Sequence, residues 1–210
     1  MTHPIVFEEI MITGSLTIKD TGLSSQTRSS ILVQDVNIPF PVRFDSLRIW
    51  DAYQIALSGT ANTDDLALVG GAFGTVPPVI SAGDLKAAGA TSRHARFQVN
   101  IPECYDTGQT LILSLSAGMK TTVADTSCTI DVEAFKIDKI SGIGADICAT
   151  AAMTMNSLVF AAKAFTITPS GLVAGDVLDV RIKILCTDAA TGTDVTPTIA
   201  SIDLLADIRG

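Results

Sequence analysis

Apolar and polar side chains alternate along much of this chain with a period of two. Between residues 95 and 101 the apolar members are Ala95, Phe97, Val99 and Ile101, and the polar members are Arg96, Gln98 and Asn100. Successive side chains of a β-strand point to opposite faces, so this pattern predicts a strand with one buried face. The same pattern recurs over residues 111–115, 130–134, 178–184 and 202–208.

Weaker apolar runs predict further strands at residues 31–38, 47–53, 66–69 and 158–168. Glycine, proline and short polar clusters separate the runs, which is typical of antiparallel sheets. A total of about eight to ten strands suits two packed sheets. We therefore predict an all-β fold, an antiparallel two-sheet sandwich in jelly-roll or Greek-key order.

Three local expectations rest on other signals. The last two alternating segments flank a turn-rich stretch, residues 187–194, and so predict a closing β-hairpin. Residues 81–88, which follow two prolines, fit a helix of a turn or two. Alanines and methionines in residues 149–156 fit either a helix or the approach to a strand.

The chain divides into an arm and a body. Residues 1–30 hold short β-like pieces between glycines and a polar run, with too few apolar residues for a core. Such a segment gains order only by lying on its own body or on a neighbouring subunit. We therefore assign 1–30 to an extended N-terminal arm and 31–210 to the sandwich domain. Residues 70–89 form the longest predicted loop, and such loops are often functional.

Composition narrows the classes of partner. Only 17% of the 210 residues are charged, below the roughly 25% of ordinary domains, which favours buried interfaces. A net charge of -8 argues against binding to nucleic acid, which needs clustered Lys and Arg. Mean hydropathy is +0.42, yet no apolar run reaches the roughly 18 residues of a membrane span. The N-terminus lacks signal-peptide features, so we expect synthesis in a cytoplasm.

Histidine and cysteine offer little for catalysis. His3 lies in the arm, and His94 opens a strand beside Arg93 and Arg96 with no acid next to it in sequence. Catalysis by a Ser or Cys nucleophile usually needs a His held by an acid. The cysteines lack the close spacing of zinc ligands, and we expect small buried thiols at Cys104, Cys128, Cys148 and Cys186.

Acidic and glycine-rich segments carry weak signals. Residues 62–65, or Asp188 with Asp194, could be tested as calcium ligands, but no calcium-loop motif is present and solvated turns are the simpler interpretation. Gly70–Gly74 lacks the Lys and Ser/Thr of a phosphate loop. Glycoside hydrolysis requires two facing carboxylates. The candidates in this chain are far apart in sequence: Asp51, Glu103, Glu133 and Asp179.

The aromatic residues allow one binding role. Trp50, Tyr53 and Tyr105 would form a platform for stacking on a sugar if they converged on one face, although scattered aromatics of an all-β chain more often lie in a core or an interface. We therefore predict no catalytic residue, no cofactor and no metal, and a protein that is not an enzyme.

Three stretches of the last two thirds of the chain carry a resemblance to a known family. Residues 95–102, Asp125–Glu133 and Ile167–Val180 resemble virion structural proteins of tailed bacteriophages, especially jelly-roll head decoration or cement proteins. The resemblance covers residues 90–210 and transfers no catalytic residue. It implies a virion protein that binds the major capsid protein, stabilises the head lattice and forms a homo-oligomer, with a trimer favoured over a dimer.

Two other functions stay open. The first alternative is a phage tail or head fibre, an adhesin domain whose exposed loops bind a host glycan. An enzyme such as a polysaccharide depolymerase comes third, since any sandwich carries acids on its outward faces.

Overall fold

The computed structural model describes residues 34–86, 89–138, 142–189 and 192–209, which contain eleven strands. Within these ranges the helical content is a single 3-10 turn, Phe44–Ser46. The predicted arm, residues 1–30, lies outside the described residues. The strands are β1 (Gln34–Pro41), β2 (Ala67–Val69), β3 (Val79–Ser81), β4 (Gly89–Asn100), β5 (Leu111–Met119), β6 (Ser127–Asp138), β7 (Gly142–Asp146), β8 (Met153–Thr154), β9 (Ala161–Ile167), β10 (Val177–Asp188) and β11 (Pro197–Arg209).

Each of the two sheets is built around one long C-terminal strand. In the first sheet, β11 is antiparallel to β5 on one side, and on the other side it pairs first with β3 and then with β1. Strand β2 extends this sheet beyond β3, and β9 extends it beyond β5. In the second sheet, β10 lies between β4 and β6, and β6 also pairs with β7 and β8.

The long strands cross from one sheet to the other as the chain proceeds. Strands β4, β6 and β10 belong to the second sheet, whereas β5, β9 and β11 belong to the first. The strand order β1-β11-β5-β9 therefore packs against β4-β10-β6-β7, which is a jelly roll. The prediction of an antiparallel two-sheet sandwich is confirmed.

The predicted closing β-hairpin is wrong. Residues 178–184 lie in β10 and residues 202–208 lie in β11, and these strands are the centres of different sheets. Alternation reports which side of a strand is buried, and both strands bury one side. It does not report which strand lies alongside, so two consecutive alternating segments fit a hairpin and a sheet-to-sheet crossing equally well.

Three other local predictions are corrected. Residues 47–53 form no strand, because the chain passes through the 3-10 turn and then makes only isolated bridges, Arg48 with Ala56 and Arg96. Residues 82–86 are extended or irregular rather than helical. The predicted loop at 70–89 contains β3, which pairs with both β2 and β11. Around residues 149–156 the chain is irregular apart from β8.

The core lies between the two sheets and is made of the inward-facing members of the alternating segments. The large side chains Phe97 of β4 and Phe165 of β9 are fully buried. Aliphatic residues of four other strands fill the space around them: Leu111, Leu113, Leu115, Ile130, Val132, Leu178, Val180, Ile182, Ile184, Ile202 and Leu204. The in-or-out assignment read from the sequence is therefore the one observed in the core.

Two phenylalanines close together in sequence give a direct test of this core. Replacing Phe165, 0% exposed, by Ala should lower the free energy of unfolding by about 3–5 kcal/mol, because lost burial and a residual cavity both contribute. Replacing Phe160, 37% exposed, should cost about 1 kcal/mol or less. Urea denaturation of both variants measures the difference, and equal losses would contradict the two-layer core.

Candidate functional site

The segment between β1 and β2 lies along the outer edge of β4. The Arg48 main-chain N–H donates to the Arg96 carbonyl over 2.7 Å, and the Arg96 N–H donates back to the Arg48 carbonyl over 3.0 Å. Further along, the His94 N–H donates to the Asp64 carbonyl, and the Leu66 N–H donates to the His94 carbonyl. These bonds cover a strand edge that would otherwise be open. They also bring residues 47–66 to the second sheet.

Charged side chains on the outer face of the second sheet are placed by strand register. Arg181 of β10 lies opposite Arg96 of β4 on one side and opposite Glu133 of β6 on the other. Asp179 precedes Arg181 by two residues and so shares its face. Directly opposed and diagonal neighbours on one face are within reach of long side chains. Strand register therefore places Asp179 and Glu133 within reach of Arg96 and Arg181.

The four charges form two ion pairs of different exposure. Arg96 binds Asp179 in a bidentate way, with Nε donating to Oδ1 over 2.7 Å and Nη2 donating to Oδ2. The Asp179 side chain is only 5% exposed. Arg181 pairs with Glu133, and about a third of each of these side chains is exposed. The first pair should matter more for stability, since solvent screens the second.

Both aromatic residues of the segment lie against these arginines. The Arg96 guanidinium lies 5.3 Å from the centroid of the Tyr53 ring, and the Arg181 guanidinium lies 5.4 Å from that of Trp50. The Trp50 ring also meets the His94 ring at a centroid distance of 5.2 Å. Each aromatic ring therefore already has a cation against it, an arrangement that stabilises a folded chain.

We call this group the ion-paired cleft, defined by Trp50, Tyr53, Arg96, Glu133, Asp179 and Arg181. Phe135 and Ile143 complete the lining of the cleft, which has a volume of about 400 Å³. Tyr53 is not part of the lining but contacts Arg96, which is. The acids and arginines neutralise one another, so the cleft presents polar atoms without a net charge.

Asp65, near the end of the 47–66 segment, has a buried side chain. Its exposed fraction is 7%, and its Oδ1 has no hydrogen-bond partner. Burial raises the pKa of Asp65, and the charges of Asp64 and Asp51 raise it further, while the main-chain N–H of Trp50 acts in the opposite direction. Folding therefore makes this carboxyl harder to ionise than it is in the unfolded chain.

His94 is half-buried, and burial lowers its pKa, with Arg181 and Lys183 contributing in the same direction. Its Nδ1 lies 3.3 Å from the Asp64 main-chain carbonyl rather than near a carboxylate. The ring is thus not held by an acid in the way that nucleophilic catalysis requires.

The structure brings together five of the residues that sequence analysis had nominated separately: Trp50, Tyr53, His94, Glu133 and Asp179. The two acids are taken up by arginines, so they do not stand as a free pair of carboxylates facing a substrate. Arg96 and Arg181 are not among the site residues that the sequence predicts. The available signal was their outward position on alternating strands.

The other nominated residues lie elsewhere. Tyr105 is buried in the core at 3% exposure, and its hydroxyl donates to the Gln109 carbonyl. Asp188 is buried and accepts the Asp125 N–H, whereas Asp194 pairs with Lys86. Glu103 lies beside Gly175, and Asp51 is exposed. In the described ranges, no three His, Cys, Asp or Glu side chains are grouped to hold a metal ion. No helix there is long and apolar enough to span a membrane.

An apolar side chain projects from the turn between β2 and β3. Phe73 is fully exposed, yet the turn around it is tied by main-chain hydrogen bonds from Gly71 to Val76 and from Thr75 to Ala72. Gly70 has a φ of +84°, and a Cβ there would collide with the Pro77 carbonyl. The turn is thus built to hold Phe73 in solvent.

A second apolar feature immediately precedes β9 in the chain. Leu158, Val159 and Phe160 are consecutive and exposed by 57%, 74% and 37%. This segment is anchored, because the Ser157 carbonyl accepts the Met119 N–H over 2.8 Å. A Cβ on Gly118 would lie 3.2 Å from the Phe160 Cα, so glycine permits this close approach.

The N-terminal half of the β9 edge that faces away from β5 has no strand partner among the described residues. Residues 147–150 cover its C-terminal end through hydrogen bonds with Thr166 and Thr168. Ala162 and Ala164 direct their main-chain groups to the same side as Thr166, and no described residue pairs with them there. The apolar residues 158–160 and this edge of β9 together form what we call the β9 surface, residues 158–164.

The fold and the cleft define a jelly-roll sandwich that carries an internally neutralised aromatic and ionic cluster on one outer face. Two exposed apolar features, Phe73 and the β9 surface, lie away from the core. No protein-family model matches the chain, and no curated protein matches it.

Several solved structures are weakly similar. The ectodomain of ANX2 from Arabidopsis thaliana has 10% identity and a TM-score of 0.29, covering 80% of this chain and 41% of that one. Structures of infectious bursal disease virus have 14% identity and a TM-score of 0.24 for the Gx strain, and 12% and 0.18 for the Gt strain. This chain spans 63% and 62% of the lengths of those two chains. TM-scores of this size carry no functional argument.

The better buried ion pair should contribute measurably to stability. Replacing Asp179 by Asn leaves the Arg96 guanidinium without its bidentate partner and should lower the free energy of unfolding by about 2–4 kcal/mol. The matched change Glu133→Gln, in the more exposed pair, should cost about 1 kcal/mol or less. Urea denaturation at pH 7 measures both, and the reverse ranking would contradict the burial argument.

Asp65 should make stability depend on pH. Its folded pKa is raised, so just above the ordinary value near 3.8 the folded chain keeps a proton that the unfolded chain has lost. Stability must therefore fall as pH rises through the raised pKa. Asp65→Asn should be more stable than the natural chain at pH 7 and lack this fall. The exposed Asp125→Asn serves as control, and a less stable Asp65→Asn at pH 7 would contradict the assignment.

Proposed function

We propose that this chain is a structural protein of a virus particle, a decoration protein that binds the head lattice of a tailed bacteriophage and stabilises it. The observation that carries the proposal is the pair of exposed but anchored apolar features, Phe73 and the β9 surface. Exposed apolar side chains that a fold holds in place mark protein–protein contact sites. The ion-paired cleft gives less support for a function, because its charged groups and aromatic rings already contact one another within the chain.

The jelly roll is consistent with this role, since viral capsid proteins are among the proteins that use it. Lectins and cupins use it too, so the fold alone does not select a virus. The resemblance of residues 90–210 to phage head decoration proteins favours that choice. An acidic surface also suits a protein that must not adhere to packaged DNA.

The partners that we propose are the major capsid protein and further copies of this chain, with a trimer favoured over a dimer. The edge of β9 at Ala162 and Ala164, which no described residue pairs, can accept another strand through main-chain hydrogen bonds, and these two side chains are small enough to allow its close approach. Phe73 would insert into a pocket of a neighbouring subunit. The predicted arm, residues 1–30, would add contacts of its own.

Stabilisation would follow from linkage. A protein that binds only the assembled lattice stabilises that state by an amount set by its free concentration relative to its dissociation constant. The function would then require no chemical step. Many copies on each particle, and a higher rupture temperature when they are present, would follow.

A second candidate function, binding of a host glycan, rests on the meeting of Trp50 and Tyr53 at the cleft. Sugars stack on free aromatic faces, whereas here arginines lie against both rings. Glycan-array binding that disappears in Trp50→Ala would favour this candidate.

Substitution of the apolar features tests the main proposal. Phe73→Ser and Val159→Ser should each weaken binding to heads that lack the protein by about tenfold or more, because central apolar anchors dominate interface energies. Circular dichroism should remain that of the natural chain, since neither side chain is in the core. Sedimentation with purified heads measures binding, and quantitative gels measure the copy number.

Val173→Ser is the matched control, because Val173 is 47% exposed in the turn before β10, outside both features. It should bind as the natural chain does. Absence of the natural chain from purified heads would overturn the proposed function. Natural binding by Phe73→Ser and Val159→Ser together would instead remove these two features from the interface.

A further inference from the structure

Two cysteines that are 58 positions apart in sequence meet in the second sheet. Cys128 of β6 lies directly opposite Cys186 of β10. Both side chains point into the core, with exposed fractions of 0% and 1%. Strand register and burial thus place the two thiols next to each other inside the sandwich. The sequence predicts buried thiols at these positions but does not predict that they lie opposite each other.

The backbone places the pair at a spacing that a disulfide can span. The Cys128 carbonyl accepts the Met155 N–H over 2.9 Å, on the side away from β10. In an antiparallel strand, the N–H and C=O of one residue point to the same side, so Cys128 and Cys186 form a non-hydrogen-bonded pair. Such pairs have Cα atoms about 4.5 Å apart and the closer side chains. Disulfides occur at Cα separations of about 4.4–6.8 Å.

We propose that Cys128 and Cys186 are a site of reversible oxidation, at which a small-molecule disulfide such as oxidised glutathione forms a cross-strand disulfide bond. Their contact in the native register carries this inference, which does not depend on the proposed role in a virus particle.

The reaction is thiol–disulfide exchange in two steps. One cysteine sulfur attacks the small disulfide, forms a mixed disulfide and releases one small thiol. The second cysteine then attacks the mixed disulfide and releases the other small thiol. The protein loses two electrons and two protons, and the small disulfide gains them as two thiols. The neighbouring Cys128 thiol lowers the pKa of Cys186, while burial acts in the opposite direction.

Access to the buried pair requires local opening. Cys128 is the second residue of β6, and Cys186 is the third from the end of β10. Strand ends open at lower free energy than strand centres. The reagent would therefore reach the thiols through fraying at this end of the sheet. Once formed, the bond would hold the two strand ends together.

The full chain provides its own controls, because Cys104 and Cys148 are half-buried and lie outside this pair. Cys148 lies opposite Ile167 rather than another cysteine. A variant with both Cys104→Ala and Cys148→Ala keeps only the proposed pair. Cys128→Ala and Cys186→Ala each remove one half of it.

The test is oxidation of the folded chain in a mixture of reduced and oxidised glutathione, followed by alkylation and peptide mass spectrometry. The natural chain and the Cys104/Cys148 double variant should yield a peptide pair joined through residues 128 and 186, with loss of two mass units. Their Tm should rise by about 5 °C or more, since a long loop is closed. A reductant should reverse the shift. Each single Cys128 or Cys186 variant should show no intramolecular bond and no rise.

Refolding from urea in the same glutathione buffer tests the pair without the barrier of burial, because glutathione can reach both thiols in the unfolded chain. A pair that fits the native register should again join residues 128 and 186. If refolded native chain carries free thiols, mixed disulfides with glutathione or other pairings at these positions, the proposal is overturned. A 128–186 disulfide that lowers the Tm would also overturn the proposal, because it would show that the bond does not fit the native sheet.

Discussion

The mutual burial of two apolar sheet faces is the constraint on which the rest of this structure depends. Strands β10 and β11 carry it, because each is the long central strand of its sheet and has neighbours on both sides. The apolar side of a strand is excluded from water only if a second layer covers it, and in this fold that layer is the other sheet. Crossing between sheets after nearly every long strand brings the two faces together and leaves polar residues outside.

That arrangement decides where function can lie. With the inner faces filled by aliphatic side chains and two phenylalanines, only outer faces, edges and turns can meet another molecule. On the outer face of the second sheet, Arg96 and Arg181 each form an ion pair with an acid and lie against an aromatic ring. The ion-paired cleft thereby attaches the 47–66 segment to the second sheet. Phe73 and the β9 surface are different, because the fold anchors their backbone and leaves their side chains in solvent.

Predictions from the sequence succeeded where a property depends on near neighbours along the chain. Alternation over 95–101, 111–115 and 178–184 identified strands and their buried faces, since period-two geometry is local. It failed where the next strand in sequence was assumed to be the next in space, as for β10 and β11. It failed also at residues 47–53, where main-chain bonds to β4 rather than local preference decide the path.

The sequence by itself determined an all-β sandwich, the inward and outward positions of its main strands, and a chain poor in residues for catalysis, because each of these follows from composition and short-range periodicity. Only the tertiary structure decided that Trp50 and Tyr53 lie against Arg181 and Arg96, and that Cys128 faces Cys186. These partners are more than forty positions apart in the chain. Their contact is fixed by sheet order and register, which arise from the packing of the whole body and leave no local signal.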